Sequence, residues 1–526
     1  MSALRSAILR VRPTVVAPVS LSSRRKFAAM SGVRSRIITD NIRPEPDKVL
    51  QEIADYVHYY EIDSPVAIET ARLCLLDTLG CGLEALRYDN CARLIGPVVP
   101  GTVVPNGTKV PGTSYQLDPV RSAFAIGMAV RWLDYNDCWL AAEWGHPSDN
   151  LGGILAVADW LSRTYRASGT SVVSFAKQFK IMDVLKGMIK AHEIQGVLAI
   201  KNSFNAVGLD HVVLVKVATT AVVSKMIGLS RDQTVDAVSQ AWVDGQSLRT
   251  YRHAPNTGSR KSWAAGDAGS RAVNLALMVQ KGEAGLPSVL TAKTWGFYDV
   301  LFKGKPFKFQ RPYGSYVMEN VLFKISYPAE FHAQTAVEAA MTLHKKIADL
   351  GKSAADIASV MIRTQESGNR IINKTGPLYN YADRDHCIQY MVAVPLLYGR
   401  LTADDYSDAV ATDPAIDKLR AKMTCTEDES FTIDYHAPDK RFIGNAVKIM
   451  LTDGTELEEE VHYPIGHRLR REEGTPVLLQ KFERHLRGRF ADEQQVHSIL
   501  EKSDKNIGDL DVDEYVDLYV KKDNVC

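Results

Sequence analysis

The chain has 526 residues and a formal net charge of +1, with 45% hydrophobic and 24% charged residues, a composition typical of globular proteins. A membrane protein is not expected, because crossing a bilayer takes roughly 18 consecutive apolar residues and the best candidate, residues 212–223, contains Lys216 and two threonines. The length exceeds what one hydrophobic core normally supports, so we expect two domains.

The first 39 residues differ in composition from the rest of the chain. They contain eight Arg and Lys residues, no Asp or Glu, and many Ser, Ala and Val residues, which is typical of a mitochondrial transit peptide. A secretory signal fits less well because the basic residues are spread through the segment, and a disordered basic tail is the alternative. Without these eight charges, 55 basic and 62 acidic residues remain, so no nucleic-acid partner is expected. We therefore predict a leader at residues 1–39 and a location in the mitochondrial matrix.

Residues 40–306 are predicted to form an all-α domain. Ser64 before Pro65 is a good helix start, because Ser caps the first turn and Pro fits its first position. The residues that follow, up to residue 85, are apolar on most faces, which is typical of a buried helix. Further helices are predicted at residues 120–132, 151–167, 180–194, 212–227, 231–248 and 268–280.

Residues 132–150 are the segment of this domain richest in reactive side chains. They contain one histidine, His146, together with three Trp residues and no Lys or Arg. Pro147 disfavours the α conformation at His146, so the imidazole is expected on a turn. Acids held against aromatic rings and a histidine are typical of proton-transfer sites, and a loop histidine that only makes a hydrogen bond is the alternative. The four acids of the segment are Asp134, Asp137, Glu143 and Asp149.

Positive charge is concentrated in residues 246–263. Pro255, Asn256 and Gly258 indicate a loop. Its basic residues suit an anionic small molecule, because Arg binds a carboxylate with two hydrogen bonds and Lys supplies a point charge. A solvated surface loop is the alternative. The basic residues are Arg249, Arg252, His253, Arg260 and Lys261.

Three further residues are candidates for the site. His211 directly precedes an apolar helix, whose N-terminus would keep the imidazole neutral. Lys324 lies where the two predicted domains meet. His192 falls within a predicted helix, where a hydrogen-bonded core histidine is the more common situation.

The composition changes after about residue 306, where a smaller α+β lid domain (residues 307–474) is predicted. Strands are expected at residues 358–364 and 445–461, the second with a hairpin turn at Asp453-Gly454, and helices at residues 332–350 and 385–398. Residues 475–526 are predicted to form a helical tail that packs back onto the all-α domain. A ligand is expected in the cleft between the two domains.

Motifs of the common cofactor and metal enzymes are absent from the sequence. The seven cysteines are irregularly spaced and include no C-x-x-C pair, so neither a zinc ribbon nor the usual iron–sulfur ligand run is present. There is also no G-x-G-x-x-G after a strand, no P-loop, no G-x-S-x-G and no H-E-x-x-H. Hydride transfer, phosphoryl transfer and serine hydrolysis therefore lose support, and we expect no cofactor and no metal.

Three stretches of the sequence, residues 134–155, 191–222 and 323–339, closely resemble the MmgE/PrpD family, and the resemblance covers essentially everything after the leader. It implies an all-α domain with an α+β lid domain, a homodimer, and a hydro-lyase that removes water from 2-methylcitrate to give 2-methyl-cis-aconitate in propionate catabolism. Decarboxylation of cis-aconitate to itaconate is the alternative activity. A non-catalytic scaffold or binding protein on the same fold is the alternative of another class.

The resemblance also implies site residues. It places Asp134, His146, His211 and Lys261 in the cleft, with Lys324 and Tyr390 on the lid side. Eliminating water requires a base for the proton, an acid for the departing hydroxide, and cations that stabilise charge on the adjacent carboxylate. Our hypothesis is that His146 handles one proton and is oriented by Asp134, while Lys261 and Arg252 or Arg260 neutralise carboxylates of a tricarboxylate substrate. Which residue is the base stays open at this point.

Overall fold

The computed structural model of the protein describes residues 41–243, 247–437 and 440–521, so the predicted leader lies outside the described residues. From residue 44 to residue 320 the described chain is mainly helical, and we call this stretch the helical part. Its elements are α1 (Lys48–Tyr59), α2 (Pro65–Ala85), α3 (Asp89–Ala92), β1 (Thr108–Lys109), β2 (Gln116–Leu117), α4 (Pro119–Arg131), α5 (Leu151–Ser168), α6 (Ile181–Lys201), α7 (Val212–Met226), α8 (Arg231–Val243), α9 (Arg260–Gln280), α10 (Phe297–Leu301) and α11 (Tyr316–Asn320).

Helix α2 begins where its cap predicts. The Ser64 hydroxyl accepts a hydrogen bond from the Ala67 amide at 3.2 Å, and Pro65 occupies the first helical position. From Ala67 to Ala85 nearly every side chain is buried, so the prediction of a buried helix is confirmed. The two-residue strands β1 and β2 pair in an antiparallel ribbon and are the only strands among the described residues up to 320.

Helices α4, α5 and α9 pack closely because glycines stand where they cross. A Cβ atom on Gly152 of α5 would lie 2.7 Å from the Ala123 carbonyl oxygen of α4, and one on Gly266 of α9 would lie 2.5 Å from the Phe124 carbonyl oxygen. These are closer than any side chain tolerates. The close packing brings the last residue of α4, Arg131, near the first turn of α9.

Two predicted boundaries of the helical part differ from the structure. Helix α8 is described only to Val243, residues 244–246 lie outside the described residues, and Leu248 pairs with Leu209 in a backbone bridge. Helix α9 begins at Arg260, eight residues earlier than predicted, so Lys261 lies in a first helical turn and not in a loop. The sequence did not reveal this earlier start, because the buried residues of the first turn, Lys261 and Ser262, are polar and give no hydrophobic pattern.

Residues 321–470, which we call the α+β part, carry a four-stranded mixed sheet in the order β4-β3-β5-β6. Strand β3 pairs parallel with β4 and antiparallel with β5, and β5 and β6 form the hairpin predicted at Asp453-Gly454. Helix α12 packs on β5 and β6. The elements are α12 (Gln334–Asp349), β3 (Ile357–Thr364), α13 (Glu366–Ile372), α14 (Tyr381–Arg384), α15 (Ile388–Tyr398), α16 (Asp408–Ala411), α17 (Pro414–Arg420), β4 (Met423–Glu427), α18 (Glu429–His436), β5 (Asn445–Leu451) and β6 (Glu456–Val461).

The last described residues return to helix, with α19 (Arg471–Arg489), α20 (Glu493–Lys502) and α21 (Val512–Asp517). Helix α19 packs against α2, and its Leu478, Phe482 and Leu486 are buried in the core of the helical part.

The α+β part has a separate hydrophobic core. A third, smaller cluster joins Cys138, Leu140 and Trp144 to Phe331 and Tyr435. This cluster lies where the helical and α+β parts meet. No helix in the described ranges is long and apolar enough to cross a membrane.

Candidate active site

The acidic segment 132–150 is shaped by its backbone. Asp134 has a φ of 49°, in the left-handed region that residues other than glycine rarely adopt. The chain then forms two backbone bridges, from Cys138 to Leu322 at 2.7 and 2.9 Å and from Trp139 to Gly145 at 2.8 and 3.1 Å. Together they fold the segment back on itself, so that His146 returns beside residues 134 and 137.

Asp134 is the centre of the site. Its buried carboxylate accepts hydrogen bonds from Arg131 Nη1, at 2.5 Å, and from Lys324 Nζ, which also donates to the Asp134 carbonyl oxygen at 2.9 Å. Burial acts to raise the pKa of Asp134, but Arg131 and Lys324 hold it well below its usual range. Two imidazole nitrogens, Nε2 of His146 and Nε2 of His386, lie 3.7 and 3.8 Å from its carboxylate oxygens. An ionised acid therefore faces two histidines.

His146 is held in one tautomer. Its Nδ1 lies 2.6 Å from the Asp137 carbonyl oxygen, which can only accept, so Nδ1 carries the proton and Nε2 carries a lone pair. Nε2 is buried and makes no hydrogen bond with the described residues. Burial, together with Arg131 and Lys324, lowers the pKa of His146 well below 6.5, so the ring is neutral near pH 7. This geometry suits a general base.

His192 supports this arrangement and does not line the cleft. Its Nε2 lies 2.8 Å from Asp137 Oδ2, and the Ser148 amide donates to Asp137 Oδ1 at 3.0 Å. Cys74 Sγ lies 3.7 Å from both Asp137 Oδ2 and His192 Nε2. Among the residues that the structure describes, these three are the group whose donor atoms could share a metal ion. Their mutual hydrogen bonds already fix the loop that carries His146.

Unpaired polar atoms converge beside His146. The ring of His211 lies 5.5 Å from that of His146, and burial lowers the pKa of His211 although Asp210 acts to raise it. Nε2 of His211 and Nε of Arg131 each lie 3.9 Å from Asp149 Oδ2, beyond hydrogen-bonding distance, and all three atoms lack a partner among the described residues. Buried polar atoms are normally paired, so this cluster marks a place for a polar ligand.

Lys261, in the first turn of α9, connects the site to the α+β part. Its Nζ donates to Asp385 Oδ2 at 2.7 Å, and His386 Nδ1 lies 2.7 Å from Asp385 Oδ1. Burial lowers the pKa of Lys261, although Asp385 opposes this. Since Asp385 and His386 lie between α14 and α15, the site is built from both parts of the chain.

Sequence reasoning missed Asp385 and His386. The local signal is a run of four charged or ionisable residues, 383–386, which ends two positions before the first residue of the buried helix α15. A charged run is more often a solvated surface than a site. Here Asp385 and His386 are buried, and they form the side of the site that belongs to the α+β part.

The structure does not bring Arg260 and Tyr390 to this cluster. Arg260 is exposed, with its guanidinium 4.1 Å from the ring centre of Trp263. The Tyr390 hydroxyl donates to the Asp405 carbonyl oxygen at 2.7 Å within the core of the α+β part. Arg252 is buried nearby, but its guanidinium is already paired with Asp210. Asp134, His146, His211, Lys261 and Lys324 do come together.

A cavity of about 330 Å³ lies between the two parts, and Asp385 is the residue of the cluster that its lining includes. Its lining includes Trp132 and Leu133 from the helical part and Tyr381, Asp385 and Tyr406 from the α+β part. The volume lies at the lower end of the range for small-molecule sites. A buried, charged cluster beside a cavity of this size is typical of an enzyme that acts on a small polar substrate.

Two family models match the chain in order. The MmgE/PrpD N-terminal domain matches residues 51–310 and the MmgE/PrpD C-terminal domain matches residues 327–506. The chain therefore belongs to the MmgE/PrpD family, and the resemblance found in the sequence is confirmed.

Individual relatives are similar over nearly their whole length. The mitochondrial 2-methylcitrate dehydratase of Yarrowia lipolytica is 72% identical over 507 residues, which is 96% of each chain. The probable 2-methylcitrate dehydratase of Saccharomyces cerevisiae is 64% identical over 95% of this chain and 96% of its own. The 2-methylcitrate dehydratase of Salmonella typhimurium is 64% identical over 91% of this chain and 99% of its own.

Proposed function

We propose that this protein catalyses the dehydration of 2-methylcitrate to 2-methyl-cis-aconitate in propionate catabolism, as a hydro-lyase that uses side chains alone. The observation that carries the proposal is the neutral His146, whose unpaired Nε2 lies beside Asp134 in a site that also contains Arg131, Lys261 and Lys324. The names of the relatives from Yarrowia, Saccharomyces and Salmonella support the choice of substrate.

The elimination needs a base, an acid and cations. His146 Nε2 takes the proton from the carbon next to a carboxylate, and the electron pair of that C–H bond becomes the new double bond. The C–O bond to the neighbouring carbon breaks, and Lys261, whose pKa burial lowers, gives a proton to the departing hydroxide. Lys324 and Arg131 stabilise negative charge that develops on the substrate carboxylate.

The proposal is tested by mixing purified enzyme with 2-methylcitrate and following the ultraviolet absorbance of an unsaturated tricarboxylate. We expect turnover, unchanged after treatment with a chelator, since the mechanism uses neither metal nor cofactor. Activity that chelation abolishes and added metal restores would contradict the side-chain mechanism. Itaconate formed from cis-aconitate would favour the decarboxylase, and no turnover of any tricarboxylate would favour a scaffold.

We also propose that the protein works in the mitochondrial matrix as a homodimer. The leader composition and the mitochondrial relative from Yarrowia support the location. A fusion of residues 1–39 to a reporter should enter mitochondria, and light scattering should give twice the mass of one chain.

The division into an all-α domain (40–306), an α+β lid domain (307–474) and a helical tail (475–526) is likewise a proposal. The separate hydrophobic cores of the helical and α+β parts support it.

A further inference from the structure

Arg249 is a buried arginine with unused hydrogen-bond donors. Its side chain is 3% exposed, and its Nε and Nη1 make no hydrogen bond with the described residues. The nearest carboxylate oxygens, Glu143 Oε1 and Asp210 Oδ2, both lie 3.8 Å from Nη1. A guanidinium stays charged in proteins, and leaving its donors unpaired in the interior is costly. The group can therefore bind a partner that the described residues do not supply.

The two acids near Arg249 do not satisfy it. Asp210 accepts hydrogen bonds from both Nε and Nη2 of Arg252, and its distance of 3.8 Å from Arg249 Nη1 is too long for a hydrogen bond. Glu143 accepts a hydrogen bond from the Asn205 amide at 2.7 Å through Oε2, while its Oε1 stays unpaired. Burial raises the pKa of Glu143 to about 7, so this side chain is only partly ionised at neutral pH.

Arg249 adjoins the site through Trp144. The guanidinium lies 4.9 Å from the centre of the Trp144 ring, and the same ring stacks with His211 at 6.4 Å. His211 in turn lies 5.5 Å from His146, ring to ring. Asp210 lies 3.2 Å from His211 Nδ1 and 3.8 Å from Arg249 Nη1, so a substrate that extends from His146 past His211 would come near Arg249.

Each of the other cations of the site forms an ion pair with an acid, although Nε of Arg131 makes no hydrogen bond with the described residues. Arg131 and Lys324 share the carboxylate of Asp134, Lys261 is bound to Asp385, and Arg252 is bound to Asp210. A ligand with three carboxylates would need more positive charge than these pairs leave free. Among the described residues, Arg249 is the one of these five cations without an acid within 3.5 Å.

We propose that Arg249 binds one carboxylate of the substrate through its unpaired N–H groups and selects tricarboxylates over dicarboxylates. This inference rests on the proposed function. It also reassigns the role that the sequence suggested for Arg252 and Arg260. Arg252 acts as a positioning residue for Asp210, and Arg260 lies outside the site.

The test measures binding, so it does not depend on turnover. Calorimetry gives Kd values for tricarballylate, which lacks the hydroxyl group and cannot be dehydrated, and for two relatives that each lack one of its carboxylates, glutarate and 2-methylsuccinate. The variants are Arg249→Met, Arg249→Lys, and Arg260→Met as a matched control that removes an exposed arginine of the same segment. Thermal unfolding of each variant checks that it is folded.

We expect Arg249→Met to weaken tricarballylate binding by about 10- to 100-fold, as for loss of hydrogen bonds to a charged group. At least one dicarboxylate should bind the Met variant as it binds wild type, because it lacks the carboxylate that Arg249 holds. Arg249→Lys should recover part of the loss, since lysine restores the charge but not the planar donors. Arg260→Met should match wild type.

Two results would overturn the assignment. If Arg249→Met weakens the binding of all three ligands equally, the role of Arg249 is structural. If it leaves tricarballylate binding unchanged, Arg249 has no role in binding. If wild type dehydrates 2-methylcitrate while either result is found, only the role of Arg249 fails. If wild type binds no tricarballylate and dehydrates no tricarboxylate, both the proposed function and the role of Arg249 are wrong.

Discussion

His146 is expected to be the residue on which turnover depends most. Its lone pair on Nε2 has no partner among the described residues, and general bases typically contribute about 10²- to 10⁴-fold to rate. His146→Ala should therefore lower kcat by at least about 100-fold, measured as the rate of formation of the unsaturated product. His253→Ala, at an exposed position in the same basic segment as Arg249, is the matched control and should change little. A His146→Ala enzyme that keeps more than about a tenth of its turnover would contradict the role.

The pH profile reports the charge state of the same imidazole. A base works only when deprotonated, so kcat/KM falls as pH drops through its pKa. Because burial, Arg131 and Lys324 lower the pKa of His146 well below 6.5, the acid limb should lie below pH 6.5. Lys324→Met removes one of the groups that lower this pKa and should move the limb to higher pH. A limb at or above pH 6.5 in wild type, or one that moves down in the variant, would argue against His146 as the base.

Sequence reasoning located most residues of the site but not their pairing. Residues 132–150 could be identified because acids, aromatic rings and a histidine are concentrated in one short segment. Asp385 could not be identified from the sequence, since its partner Lys261 lies 124 residues away and no local pattern links the two residues. Arg249, Arg252 and Arg260 look alike in sequence. Only burial and the position of Asp210 distinguish them: two nitrogens of Arg249 make no hydrogen bond with the described residues, Arg252 is bound to Asp210, and Arg260 is exposed.

At the scale of elements, helix α19 supports the site through one buried lysine. Lys481 Nζ donates to Asp77 of α2 at 2.7 Å and to the carbonyl oxygens of Tyr135 and Lys324 at 2.8 and 2.7 Å. Burial opposes the charge on Lys481, but Asp77 holds its pKa above the ordinary value. One ammonium group thus links helix α19 to the backbone of Tyr135, next to Asp134, and to the backbone of Lys324, which binds Asp134.

Replacing this lysine should cost both stability and activity. Lys481→Met leaves Asp77 buried without a partner, which should lower the free energy of unfolding by about 3–5 kcal/mol, measured by denaturant titration. Its kcat/KM should also fall because the backbone of Lys324 loses an anchor. Arg487→Met, on the same helix but in exposed pairs with Glu483 and Glu493, should cost less than about 1 kcal/mol. Equal costs for the two variants would show that the buried pair has no special role.

Helices were easier to predict than strands for a physical reason. Helix α2 carries its start signal in two adjacent residues, Ser64 and Pro65, and its apolar faces lie within one segment. Strand β4 has mostly exposed side chains, and its hydrogen bonds go to β3, some sixty residues earlier in the chain. Such an edge strand has no local hydrophobic pattern to detect. The β5–β6 hairpin was predicted because its turn residues and both strands are contiguous.

At the scale of the whole molecule, the unpaired buried atoms imply that ligand binding and stability are coupled. His146, His211 and Asp149 contribute unpaired atoms from the helical part, while Asp385 and His386 come from the α+β part. A ligand that binds only the folded chain stabilises it by RT ln(1 + [L]/Kd), whichever contacts it makes. A ligand held by both parts should therefore protect the helical and α+β parts together.

Tricarballylate at 100 times its Kd should raise the free energy of unfolding by about 2.7 kcal/mol. At the same concentration, Arg249→Met should gain far less, because a Kd about 50-fold higher leaves the ligand only about twice its Kd and a gain of about 0.6 kcal/mol. Denaturant titration followed separately by a probe in each part measures the effect, with sodium chloride at matched ionic strength as control. Protection of one part alone would contradict a site shared between the two, and equal protection by the salt would show that the effect is not specific binding.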